Sequence, residues 1–451
     1  MPSCGSAVNI RALPLKHTLV RGITGSIALR GFGHVLRLAL GVLLARALGA
    51  AAFGTYSYAT SVAAIVATFA VLGMDHIAIR FLGQYVQGGQ WALVRGFVAR
   101  SQQIVFGSGI AVALVTGAVL MLVQGSSKSA TDILAMVLIV AVLPLIVSGQ
   151  VRQSLCRGLD RPVMAQVPEN IVLPAAIGTF FVAGLYLAPS REPVVVVAGA
   201  YAAAWCLAWI AGLVILRRSL PPDIDRYPQE SALGTWLRMS PGLISSSAAY
   251  LVFSRIDVLV LDALFSAREV GLYVVATRAA ELVQFLYEAT FLAGAATFSA
   301  LFAANDRERL NRFVLLVCRV VFWGTLPVLA LFLAFAVQIL GIFGPEYVVM
   351  AGNFRILAVA YYVSSIGGFV IPMMYVVGRQ REVAWVLWLS AALNLILCLM
   401  LAPVIGPSAV VWSFAISLVV MKCALIVRIY FAEGVVCFPL PGILGLGRRR
   451  A

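Results

Sequence analysis

Long apolar runs alternate along this chain with short turns rich in Arg, Gly, Pro and Ser. Each run is close to or beyond the ~20 residues that an α-helix needs to cross a bilayer. Reading the runs against their breakers predicts twelve spans. They are residues 23–48, 56–74, 102–123, 132–150, 167–188, 194–216, 240–265, 271–301, 313–340, 354–376, 384–403 and 407–430. Composition agrees with this pattern. Of 451 residues, 62% are hydrophobic and 11% charged, whereas soluble domains run at about half apolar and a quarter charged. Mean hydropathy is +0.99. A water-soluble enzyme is excluded, and the expected fold class is an all-α polytopic membrane protein.

The net charge of +15 reads here as a record of topology and of an anionic partner, not of nucleic acid. Counting from a cytoplasmic start, 22 Lys and Arg fall in inward segments and four in outward turns (Arg46, Lys128, Arg191 and Arg268). A missed span would invert every later loop, so this bias supports the twelve-span count with both termini cytoplasmic. The first 22 residues are polar and basic without an apolar core, so the first helix is expected to direct insertion. Cys206, Cys318, Cys398 and Cys423 fall inside apolar runs, and no pair sits in an outward loop where a disulfide would form.

Segment 217–239 is the longest inward loop, and it lies at the midpoint of the chain. It divides an N-lobe, 23–216, from a C-lobe, 240–430, with short segments 1–22 and 431–451 at the ends. The halves echo each other. Gly54-x-Tyr56-x-x-Ala59-Thr60 matches Gly271-x-Tyr273-x-x-Ala276-Thr277. Both copies occupy the outward turn between the first and second helix of their half. That arrangement predicts parallel repeats with a binding site between them at mid-membrane. Chance matching of two small-residue helix entries is the alternative.

These stretches, with RIDVLVLDALFSAREVGLYVVATRAAELVQF, ILGIFGPEYVVMAGNFRILAVA and NLILCLMLAPVIG, resemble the polysaccharide-transport (Wzx-type) flippases of the multidrug/oligosaccharidyl-lipid/polysaccharide exporter superfamily. The resemblance runs from about residue 20 to residue 430. It implies two parallel six-helix lobes around a V-shaped central cavity, in the bacterial inner membrane. It also implies a substrate of undecaprenyl-diphosphate-linked oligosaccharide and association with polysaccharide polymerase or export machinery. Two helix ends depart from the family pattern, Ala-Ala-Thr-Phe-Ser at 295–299 and Gly-Pro-Ser-Ala-Val-Val at 406–411. The similar lipid II flippases typically have more spans than this chain.

Ionisable groups inside spans carry the candidate chemistry, because a charge at bilayer centre costs ~2.5–3.5 kcal/mol on insertion scales. Arg30, His34 and Arg37 lie on one face of the first helix. They are read as a cationic strip lining a hydrated cavity, the alternatives being pairing with acids elsewhere and, for Arg30, snorkelling. Arg255 and Arg278 on the seventh and eighth helices complete the expected substrate-binding set. The resemblance places Arg278 where the similar lipid II flippases have an essential cavity arginine. Asp257, Asp262, Glu281 and Glu288 are the candidates for ion coupling, to a proton or sodium. Asp257 is rotated about 200° from Arg255, so a regular helix cannot aim both at one cavity. A static ion-pair network in the C-lobe is the competing reading for this group. Arg319, Arg355 and Lys422, near span ends, are expected to anchor at the interface, as is Glu169.

No phosphate-cradling loop, metal-ligand cluster or nucleophile motif is present in the sequence, and no extramembrane loop is large enough for a catalytic domain. A transporter without a resident cofactor is therefore expected. A multidrug exporter of the same fold is the alternative, although its cationic substrates would favour acids where the first span has none.

Overall fold

The computed structural model describes residues 15–437 except 126–127, 305, 368–369 and 436. Side chains are described from Leu29 onward, apart from Arg30 and scattered positions within 235–246 and 289–296. Among the described residues there is no strand. The first two spans form one helical run, Leu15–Ala70, broken at Gly49. With φ 72° and ψ 172°, Gly49 occupies backbone space that a Cβ essentially forbids. The second span breaks again at Leu72 and Gly73, both at positive φ, and resumes as Met74–Gln87. Trp91–Gln124, Ala130–Gly158, Met164–Leu187 and Pro193–Ser219 complete the first half. The second half runs through Leu233–Leu264, 267–303, Arg307–Ala334, Pro345–Val376, Gln380–Ile405 and Ser408–Glu433.

All twelve apolar runs read from the sequence lie on these helices. Nine described segments are long and apolar enough to cross a membrane by length and composition. That number takes Gly31–Ala70 as one segment and omits the seventh and eighth helices, which hold Arg255, Asp257, Asp262, Arg278, Glu281 and Glu288. Outward faces are apolar, as a lipid environment requires: Leu122, Leu187 and Phe431 are 82%, 85% and 79% exposed.

Local chemistry sets the helix ends. Ser129 accepts from the Asp132 amide, Ser266 from that of Glu269, and Asp306 from that of Arg309, each satisfying an orphan donor of a first turn. Pro144 sits in the first turn of a second segment after the break at Val142, and Pro174 where the fifth span passes from π-helix back to α-helix. Pro327 lies within its helix. A π-helical turn, Pro168–Val172, interrupts the fifth span.

The seventh helix starts at Leu233, earlier than the expected 240. Trp236 explains the extension. It is fully buried, stacks edge-on against Phe97 of the third span, and donates to the Tyr85 hydroxyl at 3.1 Å. The linker before it lies along the third span, where the Glu230 carbonyl fills the space a Cβ at Gly96 would take.

The two halves meet chiefly through the first two spans of one and the seventh and eighth of the other. The repeated glycines form this junction. A Cβ at Gly54 would stand 1.6 Å from the Ala267 carbonyl oxygen, and one at Gly271 2.0 Å from that of Ala50. The motif shared by the halves therefore marks a backbone-to-backbone crossing. Further contacts between the halves cluster at this hairpin end of the bundle. The Ala50 amide donates to Glu346 at 2.9 Å, Arg46 to the Ile342 carbonyl at 2.6 Å, and Lys128 to both oxygens of Asp262 at 2.6 and 2.8 Å.

Candidate functional site

Between the lobes lies a cavity of about 510 Å³. The first span contributes His34 and Arg37, the seventh Tyr250 and Arg255, the eighth Arg278, Glu281 and Glu288, and the twelfth Lys422. Four fixed cations thus face two carboxylates. Their spacing along regular helices puts them there: Arg278, Glu281 and Glu288 recur at helical intervals and share a face across the short 3₁₀ turn Leu282–Gln284.

Specific contacts orient these groups. Arg37 Nη1 donates to Asn170 Oδ1 at 3.3 Å, and Asn170 stands on the π-helical turn of the fifth span. His34 Nε2 lies 3.2 Å from Glu288 Oε2, a contact crossing from one lobe to the other. The Tyr361 hydroxyl donates to Glu281 at 3.3 Å. Lys422 Nζ sits 5.0 Å from the Tyr287 ring centroid, within cation–π range. Arg255 Nε is buried without a hydrogen-bond partner among the described residues. A buried, unsatisfied guanidinium nitrogen is costly.

Six of the nine candidates read from the sequence line this one cavity: His34, Arg37, Arg255, Arg278, Glu281 and Glu288. The side chain of Arg30 lies outside the described residues. Asp257 does not line the cavity. It is 4% exposed and accepts from the Tyr273 hydroxyl and the Val258 amide within its own lobe. Its rotation away from Arg255 on a regular helix dictates this. Asp262 lies at the hairpin end with 3% of its side chain exposed, paired with Lys128.

Two residues differ from expectation. Lys422 is not an interface anchor, being 7% exposed and part of the cavity wall. The signal was its depth, more than a helical turn inward of Arg428. Glu169, expected at the interface, is instead paired with Arg152, whose side chain is 1% exposed. Gly212 on the sixth span makes this burial possible, since a Cβ there would fall 1.4 Å from Arg152 Nη1. Asn170, Tyr250 and Tyr361 were missed altogether, because neutral polar residues in helices carry no charge signal.

Among solved structures, the fold is similar to an inward-facing multidrug resistance MATE family transporter of the MOP superfamily (TM-score 0.74, 15% identity, 93% of this chain and 96% of that one). It is also similar to the lipid II flippase MurJ in an inward closed conformation (0.70, 13%, 93% and 89%). A third likeness is to a MOP superfamily transporter from Pyrococcus furiosus noted for reverse polarity of its binding pocket (0.62, 15%, 91% and 95%). No curated protein matches the sequence. The fold therefore defines the class, a multi-pass membrane protein built like the two-lobed MOP superfamily transporters. Residues 19–302 match the family described as polysaccharide biosynthesis protein, and the chain belongs to that family.

Proposed function

We propose that this protein is a flippase that carries undecaprenyl-diphosphate-linked oligosaccharide across the bacterial inner membrane by alternating access, with both termini in the cytoplasm and no catalytic step of its own. The observation that carries this reading is the excess of fixed cations over carboxylates in the cavity between the lobes. A diphosphate supplies negative charge to match this excess, and arginine's planar fork holds phosphate oxygens in pairs. The prenyl chain stays in lipid at the opening between lobes. Contacts at the hairpin end close the cavity on that side, so with cytoplasmic termini this is the state that receives substrate from within. A cationic drug would meet four like charges here, which disfavours the multidrug-exporter reading.

Ion coupling is assigned to Glu281 and Glu288, the two carboxylates in the cavity. Glu288 bridges the lobes through His34. When substrate phosphate engages the neighbouring arginines, a carboxylate released from its contacts accepts a proton or sodium, which gives the two lobe arrangements different contacts.

Arg37→Ala and Arg278→Ala are each expected to abolish polysaccharide export at unchanged protein level, with Lys rescuing only in part because it lacks the fork. Normal export by both alanine variants would refute the cationic-cavity mechanism.

A further inference from the structure

A second cavity, of about 450 Å³, adjoins the first toward the linker end and shares Tyr250, Tyr287 and Ile371 with it. The two spaces thus share part of a wall, but their chemistry differs. Among the described residues, no Arg or Lys lines the second cavity. Its polar groups are Thr68, Asp75, His76 and Gln150 from one lobe and Ser247 from the other, set among the rings of Tyr250, Tyr287 and Tyr375. Tyr250 and Tyr375 are 54% and 38% exposed, so their faces are available to a ligand.

The backbone break at Leu72 and Gly73 aims the acid and the imidazole into this space. Both residues adopt positive φ, and Asp75 and His76 follow in the first turn of Met74–Gln87. His76 Nε2 then reaches the Ser247 hydroxyl at 2.9 Å. Leu72 at positive φ is uncommon for a branched residue, and its consequence here is the placement of these two side chains.

An anion would be repelled by Asp75 and would meet no Arg or Lys among the described lining residues. A neutral polyol with one apolar face fits both halves of the lining. Aromatic rings pack against the C–H face of a pyranose, while a carboxylate, an amide and a hydroxyl exchange hydrogen bonds with its hydroxyls. We propose that this cavity is a glycan subsite, which grips the first pyranose beyond the diphosphate while the diphosphate rests among the arginines. The proposal rests on the flippase reading above and adds the site that discriminates a glycosylated lipid from a bare one. Because its polar groups come from both lobes, a bound sugar bridges them at the linker end.

The test uses the purified full chain in lipid nanodiscs with two probes, undecaprenyl diphosphate and the same lipid carrying one N-acetylglucosamine. Affinities are read by native mass spectrometry. The wild type is expected to bind the glycosylated probe about tenfold more tightly. Tyr375→Ala and Asp75→Asn touch only the second cavity, and each should shrink that margin while leaving the bare lipid unaffected. Tyr375→Phe keeps the ring and should keep the margin. Arg278→Ala should weaken both probes alike. Equal binding of the two probes by wild type, or equal loss for both in Tyr375→Ala, would overturn the subsite and leave the flippase reading standing. Binding of neither probe would overturn both.

Discussion

Gly212 and Arg152 show how much of the site rests on residues that do not line it. The guanidinium fills the space beside Gly212 and pairs with Glu169, next in sequence to Asn170, which holds Arg37. The π-helical turn thus links a buried ion pair to the cavity through adjacent residues. Gly212→Ala would drive Arg152 from its seat. Overpacking costs about 1–3 kcal/mol, and a buried pair left broken costs about 3–5 kcal/mol. A lowered Tm in detergent and weakened export are the expected result, and a thermal melt that matches wild type would argue against this packing role. At the cavity itself, Glu281→Gln and Glu288→Gln are each expected to stop ion-driven export. Neutralising Glu288 and His34 together separates coupling from a static bridge. A structural pair should tolerate the double change better than either single one, whereas a coupling acid should not. Full export by both single variants would remove the coupling assignment.

The hairpin end is held by elements, not by single bonds. The turn at Gly49 starts the second span with its amide at Ala50 pointing to Glu346, a carboxylate placed at a helix N-terminus where it is favoured. Gly54 and Gly271 let the second and eighth spans cross at backbone distance, and Lys128 closes over Asp262 beside them. Alternating access requires this contact to open. Lys128→Met leaves the Asp262 carboxylate buried without its cation, a cost of about 3–5 kcal/mol borne by the state shown here. The population should move toward the state with the hairpin end apart. A cysteine placed at the buried Tyr58 should then react faster with a membrane-impermeant thiol reagent added from the hairpin side. An unchanged rate would show that Lys128 is not part of the latch. Gly54→Ala should act in the same direction, because its methyl has no room against the Ala267 carbonyl.

For the whole molecule, helix alternation puts Arg191 and Arg268 at one end and Arg217 and Arg381 at the other. With cytoplasmic termini, cysteines at the first two should label from outside intact spheroplasts, and cysteines at the other two only after permeabilisation. Outside labelling at Arg217 would break the orientation on which the transport direction depends.

Much of this architecture was legible in the linear chain, for a physical reason. Lipid requires each span to satisfy its own backbone and to be apolar over a fixed length, so the all-helical, many-span fold is written locally. Helical phase put Arg278, Glu281 and Glu288 on one face and Arg37 on the strip of the first helix, and the cavity is where those faces meet. Tertiary packing alone decided the rest. Asp257 and Arg255 are two residues apart, yet one is buried against Tyr273 and the other faces the cavity. Lys422 is drawn inside by the packing of the twelfth helix, and Arg152 is admitted to the core by the absent side chain of Gly212. The aromatic cavity depends on Tyr250, Tyr287 and Tyr375 from three helices and on Asp75 and His76 beyond a backbone break. No single helix carries a signal for it, since its chemistry exists only where the two lobes meet.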